Sequence, residues 1–566
     1  MRFLVAFGPA LVLAACGATT SSTSSPTGAS AGSGGGGGDG GAGAGSVGGA
    51  AGAGGAGGDG GVLFGGMGGS MGPWGDFPAT PVYDGAAPSD AGVLFGPAGM
   101  GAPGGPCLVE PGPDSLLPQN WLRPRFRWVP APNENLFELR LSAPDQLEEL
   151  VVYTTEPSWT MPKDLWEGLA QHSVLSPITI TVRGAAWDGV ALTQPVTLSG
   201  ASSLQIAPVE AKGSIVYWTT SGGSSLKGFE AGDESVVTVL APPDVAMNTV
   251  GGSDVSCIGC HTSTPDGKHA SFTAQGPWGN VLASVEGATK GAAPSYLGAG
   301  ASAFFAVEAP LGIHTYSAAH FAPGDRVAVV PRGDFAAAEL LWVDLEASQA
   351  GEGSAYGVLA RDGDTRGAGA PAWSHDGATV AYVSTDAQFT GRLDAGAADV
   401  FTIPYADRQG GLAEPLLGAS DPAFAEYYPA FSPDDALVVF DRAPLGANMY
   451  DQASAEVFVV PAEGGLAVRL AANDAPACLG APSPGLTNSW PKWSPQASTV
   501  AGRTYYWLIF SSKREVGIPQ LYMTGVVEEA GQLTTHGAVY LWNQPPNENN
   551  HTPAWDVFEI PPVPPA

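Results

Sequence analysis

Phe431-Ser432-Pro433-Asp434-Asp435, followed at once by the strand-like Leu437-Val438-Val439-Phe440, carries the architecture of this chain because it recurs. Trp373-Ser374-His375-Asp376-Gly377 precedes Thr379-Val380-Ala381-Tyr382-Val383, and Trp493-Ser494-Pro495 precedes Trp507-Leu508-Ile509-Phe510. A second strand follows each copy, at Asp399–Ile403, Glu456–Val460 and Gln520–Met523. The turn has a mechanical logic: Pro presets the backbone after Ser or Thr, Asp accepts a local backbone hydrogen bond, and Gly supplies a positive φ. Asp266, Asp376 and Asp434 are therefore assigned to turns and no catalytic residue is named; Asp362-Gly363-Asp364 lacks the rest of a calcium loop and is also taken as a turn.

Phe321-Ala322-Pro323-Gly324-Asp325 is a looser copy, and Ser263-Thr264-Pro265-Asp266-Gly267 heads another. With Trp555 as the last anchor, the anchors fall at 263, 321, 373, 431, 493 and 555, intervals of 52 to 62 residues that suit four-stranded blades. The last anchor has almost no chain after it, whereas Ile215–Trp218 and Leu226–Phe229 are strands with no anchor before them. Joining the two ends completes a sixth blade and closes a ring. The pattern over 209–566 resembles the TolB-like (WD40-like) propeller family, whose repeats carry this Ser-Pro-Asp-Gly turn. That resemblance implies an all-β chain with a six-bladed β-propeller and says little about activity.

One repeat begins with Cys257-Ile258-Gly259-Cys260-His261. Two cysteines three apart followed by histidine form the attachment signature of a c-type haem: Cys257 and Cys260 would take the vinyl groups as thioethers, and His261 would be the proximal axial ligand of the haem iron. In the repeat register Cys260 and His261 match Tyr428 and Pro429, which puts the motif just before an inner strand. The second axial ligand is open among Met247, His269, His314 and His320. The non-haem alternatives are a local disulfide and a Cys2His metal half-site.

The N-terminus sets the compartment. Arg2 precedes an apolar run from Phe3 to Ala15 that ends in Leu13-Ala14-Ala15-Cys16. This resembles a bacterial lipoprotein signal and lipobox over residues 1–16, with Cys16 as the lipidation site. Gly17 after it implies sorting to the outer membrane, with the folded part facing the periplasm or the surface. From 17 to 106 Gly, Ala and Ser dominate, which predicts a disordered tether reaching about 50 Å from the membrane. Gly68-Gly69-Ser70-Met71-Gly72 matches the nucleophile-elbow pattern only by low complexity, since no strand or helix flanks it. Between 107 and 208, short strands at Arg125–Trp128, Leu136–Leu141, Leu150–Tyr153 and Ile178–Val182, with one helical turn at Leu165–Leu169, resemble a fibronectin III-like or immunoglobulin-like β-sandwich.

The formal net charge of −31, from 54 acidic and 23 basic residues, argues against a nucleic-acid partner. Of the five cysteines only Cys107 and Cys478 remain without a role, and in an oxidising compartment they either pair or stay free. The leading expectation is a lipid-anchored envelope propeller with one haem c, serving electron transfer or redox sensing with a redox partner. A binding scaffold for an envelope protein, peptide or glycan is the second reading, and a haem peroxidase the third.

Overall fold

The structure is a computed structural model that describes residues 73–221, 223–245, 249–250, 253–274, 279–307, 314–332, 338–386, 396–515 and 517–561. Cys16, residues 17–72 and Met247 lie outside the described residues.

The repeated turns form as their chemistry dictates. Ser374 Oγ donates to Asp376 Oδ1 at 2.7 Å, the same carboxylate accepts the Ala378 amide at 2.9 Å, and Thr379 N–H returns to Ser374 Oγ at 2.9 Å. Ser432 with Asp434, and Thr264 with Asp266, repeat the arrangement. Gly377 and Gly267 take φ of 76° and 72°, and Asp435 takes φ 58° in the copy without glycine. Each of these turns reverses the chain into a strand buried on both faces, such as Val380–Val383 or Leu437–Phe440.

The strands make antiparallel sheets that follow one another along the chain. Ile258–Ser263, His269–Ala274 and Gly279–Ser284 form one. Phe321–Ala322, Asp325–Arg332, Glu339–Asp344 and Tyr356–Val358 form the next. Further meanders start at Gly367–Trp373, Phe424–Phe431 and Ser489–Trp493. The chain end then returns: Asn550–Asp556 pairs antiparallel with Ser214–Thr219, with Ser214 opposite Asp556 and Thr219 opposite Asn550. Successive sheets share apolar layers. Val216 and Trp218 pack with Ile258 and Phe272, Leu282 with Ala328 and Leu341, and Val329 and Trp342 with Trp373 and Tyr382. Ala381 and Val400 pack with Phe431 and Phe440, Val439 with Trp493 and Leu508, and Trp507 and Met523 with Ile215 and Trp555. Each sheet thus packs on the next and the last on the first, which makes this part of the chain an all-β propeller.

The layer between the last and first sheets does not stop at the ring. It runs on through Trp121, Leu116 and Leu117 into Phe126, Trp128, Leu139, Leu141, Ile180 and Val182 of the preceding region. There, Leu136–Ser142 lies between Leu150–Thr154 and Ile178–Ala185, while Cys107–Glu110, Arg125–Val129 and Ser158–Thr160 form a separate three-stranded sheet. Trp121 lies 5.6 Å from Trp555 between ring centroids, and Trp542 Nε1 donates to Arg123 O at 2.8 Å. The expected helical turn is a ten-residue helix, Lys163–His172, with Trp166 and Leu169 buried.

The span expected to be tether up to Pro106 is structured over its last part. From Pro73 the chain is packed: Val82–Tyr83 pairs with Val152–Tyr153, Phe77 and Phe95 are buried, and a short helix spans Ala91–Phe95. Arg183 fixes it. This buried guanidinium ion-pairs with the buried Glu138 at 2.5 Å and donates to the carbonyls of Phe95, Pro97 and Met100 at 3.1, 2.9 and 3.1 Å. A few aromatic anchors and one charged clamp outweigh the glycine content around them.

Cys107 and Cys478 are joined by a disulfide that spans 371 residues and ties this region to the segment before the last sheet. A non-reducing peptide map is expected to show the Cys107 and Cys478 peptides cross-linked. Replacing both by serine is expected to lower stability by roughly 2–5 kcal/mol in a denaturant titration, without changing the secondary structure seen by circular dichroism.

Candidate functional site

The pentapeptide is part of the sheet. Ile258–Ser263 is an inner strand, and its pairing with His269–Ala274 breaks register between Ile258 and His261. The same break falls between Gly369 and Ala372, Tyr427 and Ala430, and Ser489 and Lys492. Thr552-Pro553 makes the equivalent break opposite Tyr217. Ala370, Tyr428, Trp490 and Thr552 occupy these bulges at φ 43°, 57°, 59° and 44°, each followed by proline. Cys260 and His261 thus sit where Tyr428 and Pro429 sit in the sister strand, as the repeat register implied. A bulge re-aims its side chains, and here Cys260 and Ala370 share one apolar cluster with Tyr428 and Trp490.

The strand uses every residue of the motif. Ile258 N–H donates to Ser224 Oγ at 3.2 Å. A side chain at Gly259 would meet Thr273 Oγ1 at 2.7 Å and the Trp218 ring at 3.6 Å. Cys260 is a free thiol, pushed up to about 12 by burial. Cys257 is buried just before the strand. His261 is buried against Phe558 and its Nε2–H donates to the carbonyl of Val216 at 3.1 Å. Its Nδ1 has no partner among the described residues, and burial brings the imidazole down to about 4.

This arrangement does not fit a haem c as the chain is folded. The imidazole that would face the iron lies between a β-strand carbonyl and Phe558. The local-disulfide and metal readings fare no better: Cys260 is free, and no group of three His, Cys, Asp or Glu among the described residues could hold a metal. The three axial histidines have other partners. His314 Nδ1 meets Ser271 Oγ at 2.6 Å, His320 Nδ1 meets Asp325 at 2.9 Å and stacks on Trp373, and His269 contacts Tyr296 Oη at 3.5 Å.

The inner strands bring together other groups that the repeats did not reveal. Asp441 is buried. Its Oδ2 accepts from Ser489 Oγ at 2.8 Å and from Trp490 N at 3.3 Å, Oδ1 has no partner, and burial raises the carboxyl well above its usual range. Lys492 is brought down to about 8 by burial, against the pull of Asp556 and Asp441. Burial likewise takes His551 down to about 3, beside Trp218 at 4.4 Å. At the turn end, His375 is raised because Asp435, 2.8 Å from Nδ1, outweighs burial. The available sequence signal was the proline after each bulge, at 371, 429, 491 and 553, which marks the residue before it as re-aimed.

The fold and this site define a β-propeller whose inner strands carry buried polar and aromatic side chains. No family model matches the chain, and no curated protein matches it. Among solved structures it is similar to a TolB-assigned protein from Agrobacterium tumefaciens at 13% identity, covering 60% of this chain and 98% of that one with a TM-score of 0.32. Kuenenia stuttgartiensis hydrazine synthase matches at 13% identity, over 51% of this chain and 74% of that one, with a TM-score of 0.29. A quinonprotein alcohol dehydrogenase-like protein from Bacteroides thetaiotaomicron matches at 9% over 80% and 97%, TM-score 0.25. At these values the likenesses carry no argument about activity, and the fold rests on the strand pairings themselves.

His261, His314 and His551 are all buried and lowered, to about 4, 3 and 3. In the unfolded chain each takes up a proton below about 6.5, whereas the folded chain refuses it. The stability contributed by these three histidines is therefore full above pH 6.5 and falls as pH drops toward 4, by about 1.4 kcal/mol per unit for each, while the raised carboxyls of Asp441 and Glu426 act in the opposite direction. His261→Gln is expected to flatten this slope by one proton's worth between pH 6.5 and 4, measured as denaturant midpoints against pH.

Proposed function

We propose that this chain is an exported, lipid-anchored six-bladed β-propeller that serves as a non-enzymatic binding scaffold at the cell envelope. The observation that carries the reading is the fate of His261: its Nε2 is spent on the Val216 carbonyl and its ring is packed inside the sheet. The residues with the strongest chemical signature are used as structure, which leaves the surface and channel of the ring for a partner. Six inner strands, each starting its own meander, support the blade count. The sheets that precede the ring and share its core support a sandwich-like domain fused to it. Leu13-Ala14-Ala15-Cys16 supports the anchor, and the acidic surface suits an envelope protein or peptide and not a nucleic acid.

A covalent haem c on Cys257 and Cys260, with His261 on iron, is the competing reading, favoured by the pentapeptide and the unpartnered Nδ1. It requires the start of Ile258–Ser263 to leave its sheet.

One experiment separates them. The form beginning after Cys16 is expressed in an exporting host with haem-maturation machinery, and its pyridine haemochrome spectrum and intact mass are recorded. The scaffold reading expects no haem band and the unmodified polypeptide mass; a haem-shifted mass with a c-type spectrum refutes it.

A further inference from the structure

Six of the chain's seven lysines, Lys163, Lys212, Lys227, Lys268, Lys290 and Lys513, stand within ion-pair distance of a carboxylate. The seventh, Lys492, has no hydrogen bond or ion pair among the described residues. It follows the Trp490-Pro491 bulge on the inner strand Ser489–Trp493, at the position that sister strands fill with Ala372, Ala430 and Ala554. The groups that act on its ammonium lie on other sheets: Asp441 on Leu437–Pro444 and Asp556 on Asn550–Asp556, while His261 on Ile258–Ser263 feels the lysine in turn. Those strands stand on both sides of its own sheet, so the side chain reaches into the ring and not out of it. Lys492 is half-buried, and its Nζ is not closed off from solvent as the unpartnered Trp490 Nε1 and Thr552 Oγ1 are.

A lysine gripped by a carboxylate is held as an ammonium, whereas one desolvated without such a grip loses its proton readily and becomes a nucleophile. We propose that Lys492 is a reactive amine of the channel that takes up a small uncharged aldehyde as a reversible imine. The nitrogen lone pair attacks the carbonyl carbon and the C=O pair moves to oxygen. The two N–H hydrogens then pass through solvent to that oxygen, the C–O bond breaks, and the C=N bond closes. Amine and aldehyde thus give imine and one water, with no oxidant or reductant. Burial brings Lys492 down to about 8 against the pull of Asp441 and Asp556, which near pH 7 gives on the order of a hundredfold more free amine than an ordinary lysine. The same surroundings choose the guest. Lys492, Asp441 and Asp556 are each driven toward the neutral form by burial, and a charged aldehyde entering beside them would bear the same desolvation cost. This uptake goes beyond the scaffold reading and does not depend on it.

The test incubates the full mature chain at pH 7 with acetaldehyde and cyanoborohydride, which fixes each imine as an N-ethyl amine, and peptide mass mapping then measures the label at every lysine. Lys492 is expected to carry at least tenfold more label than any of the other six. Glyoxylate, an aldehyde of the same carbon number that bears a carboxylate, is expected to label Lys492 at least fivefold less than acetaldehyde does. In denaturant, where the inner strands no longer cover the amine, the preference for Lys492 is expected to vanish. Lys492→Ala is expected to fold, since three sister strands carry alanine there, and to lose the dominant label while its circular dichroism is unchanged. The proposal falls if Lys492 takes no label, if it takes no more than the exposed Lys163, or if its preference survives in denaturant and so belongs to the local sequence. Equal labelling by glyoxylate overturns the uncharged class. The mapping on the unaltered chain decides the matter even where the variant does not fold.

Discussion

The pairing of Asn550–Asp556 with Ser214–Thr219 is the contact on which the rest of the molecule depends. It joins strands more than 330 residues apart and turns a row of sheets into a ring with no open end. Trp555 and Ile215 enter one apolar layer from the two strands, and that layer is continuous with Trp507 and Met523 of the last sheet and with Trp121, Phe126 and Leu139 before the ring. The seam of the ring is therefore also where the preceding region docks. A buried core crossing three parts of the chain makes separate folding of those parts energetically poor, since each alone would expose part of it. The Cys107–Cys478 bond adds a covalent tie to the same arrangement.

Closing the ring fixes the inner strands side by side, and their common bulge then decides what lies between them. A regular strand would keep alternate side chains on the two faces that pack against neighbouring sheets. The register break at Gly369/Ala372, Tyr427/Ala430 and Ser489/Lys492 re-aims one residue per strand, so that Ala370, Tyr428 and Trp490 meet in one cluster instead of in separate layers. Cys260 is in that cluster because Ile258–Ser263 breaks register at the same place. Cys260 thus falls at the bulge, while Cys257 lies just before the strand.

Much of this was legible because it is local. Ser-Pro-Asp-Gly turns, their following strands and the unmatched strand at each end are fixed by short-range hydrogen bonds and hydrophobic runs, so the repeats and their closure could be read from residues alone. What was not legible depends on distant partners. Arg183 holds Phe95, Pro97 and Met100, more than 80 residues before it, and no window of composition over 73–106 contains that arginine. Asp441 is one charged residue in a hydrophobic run, and its placement behind Ser489 and Trp490 follows only once two meanders are packed. His261 was legible as a residue with chemical potential but not as one whose nitrogen is taken by Val216, 45 positions earlier, because that contact exists only when the first sheet lies against the next.

Burial of so many polar groups near the inner strands runs against stability, and the ring explains how it is tolerated. Lys492, Asp441, His261 and His551 are each shifted toward the neutral form, the direction that lowers the cost of burying them. Those shifts alone do not explain why the groups are present, since apolar residues of similar volume would cost less. The sister position of Lys492 is Ala372, Ala430 or Ala554 in other inner strands, so the fold itself accepts a small apolar residue there. The departure from alanine at 492 and the buried carboxyl at 441 fall on strands that pack together, and the two groups attract one another. A ring that is overdetermined by its closure and its shared core can carry such buried polar groups where a looser sheet could not.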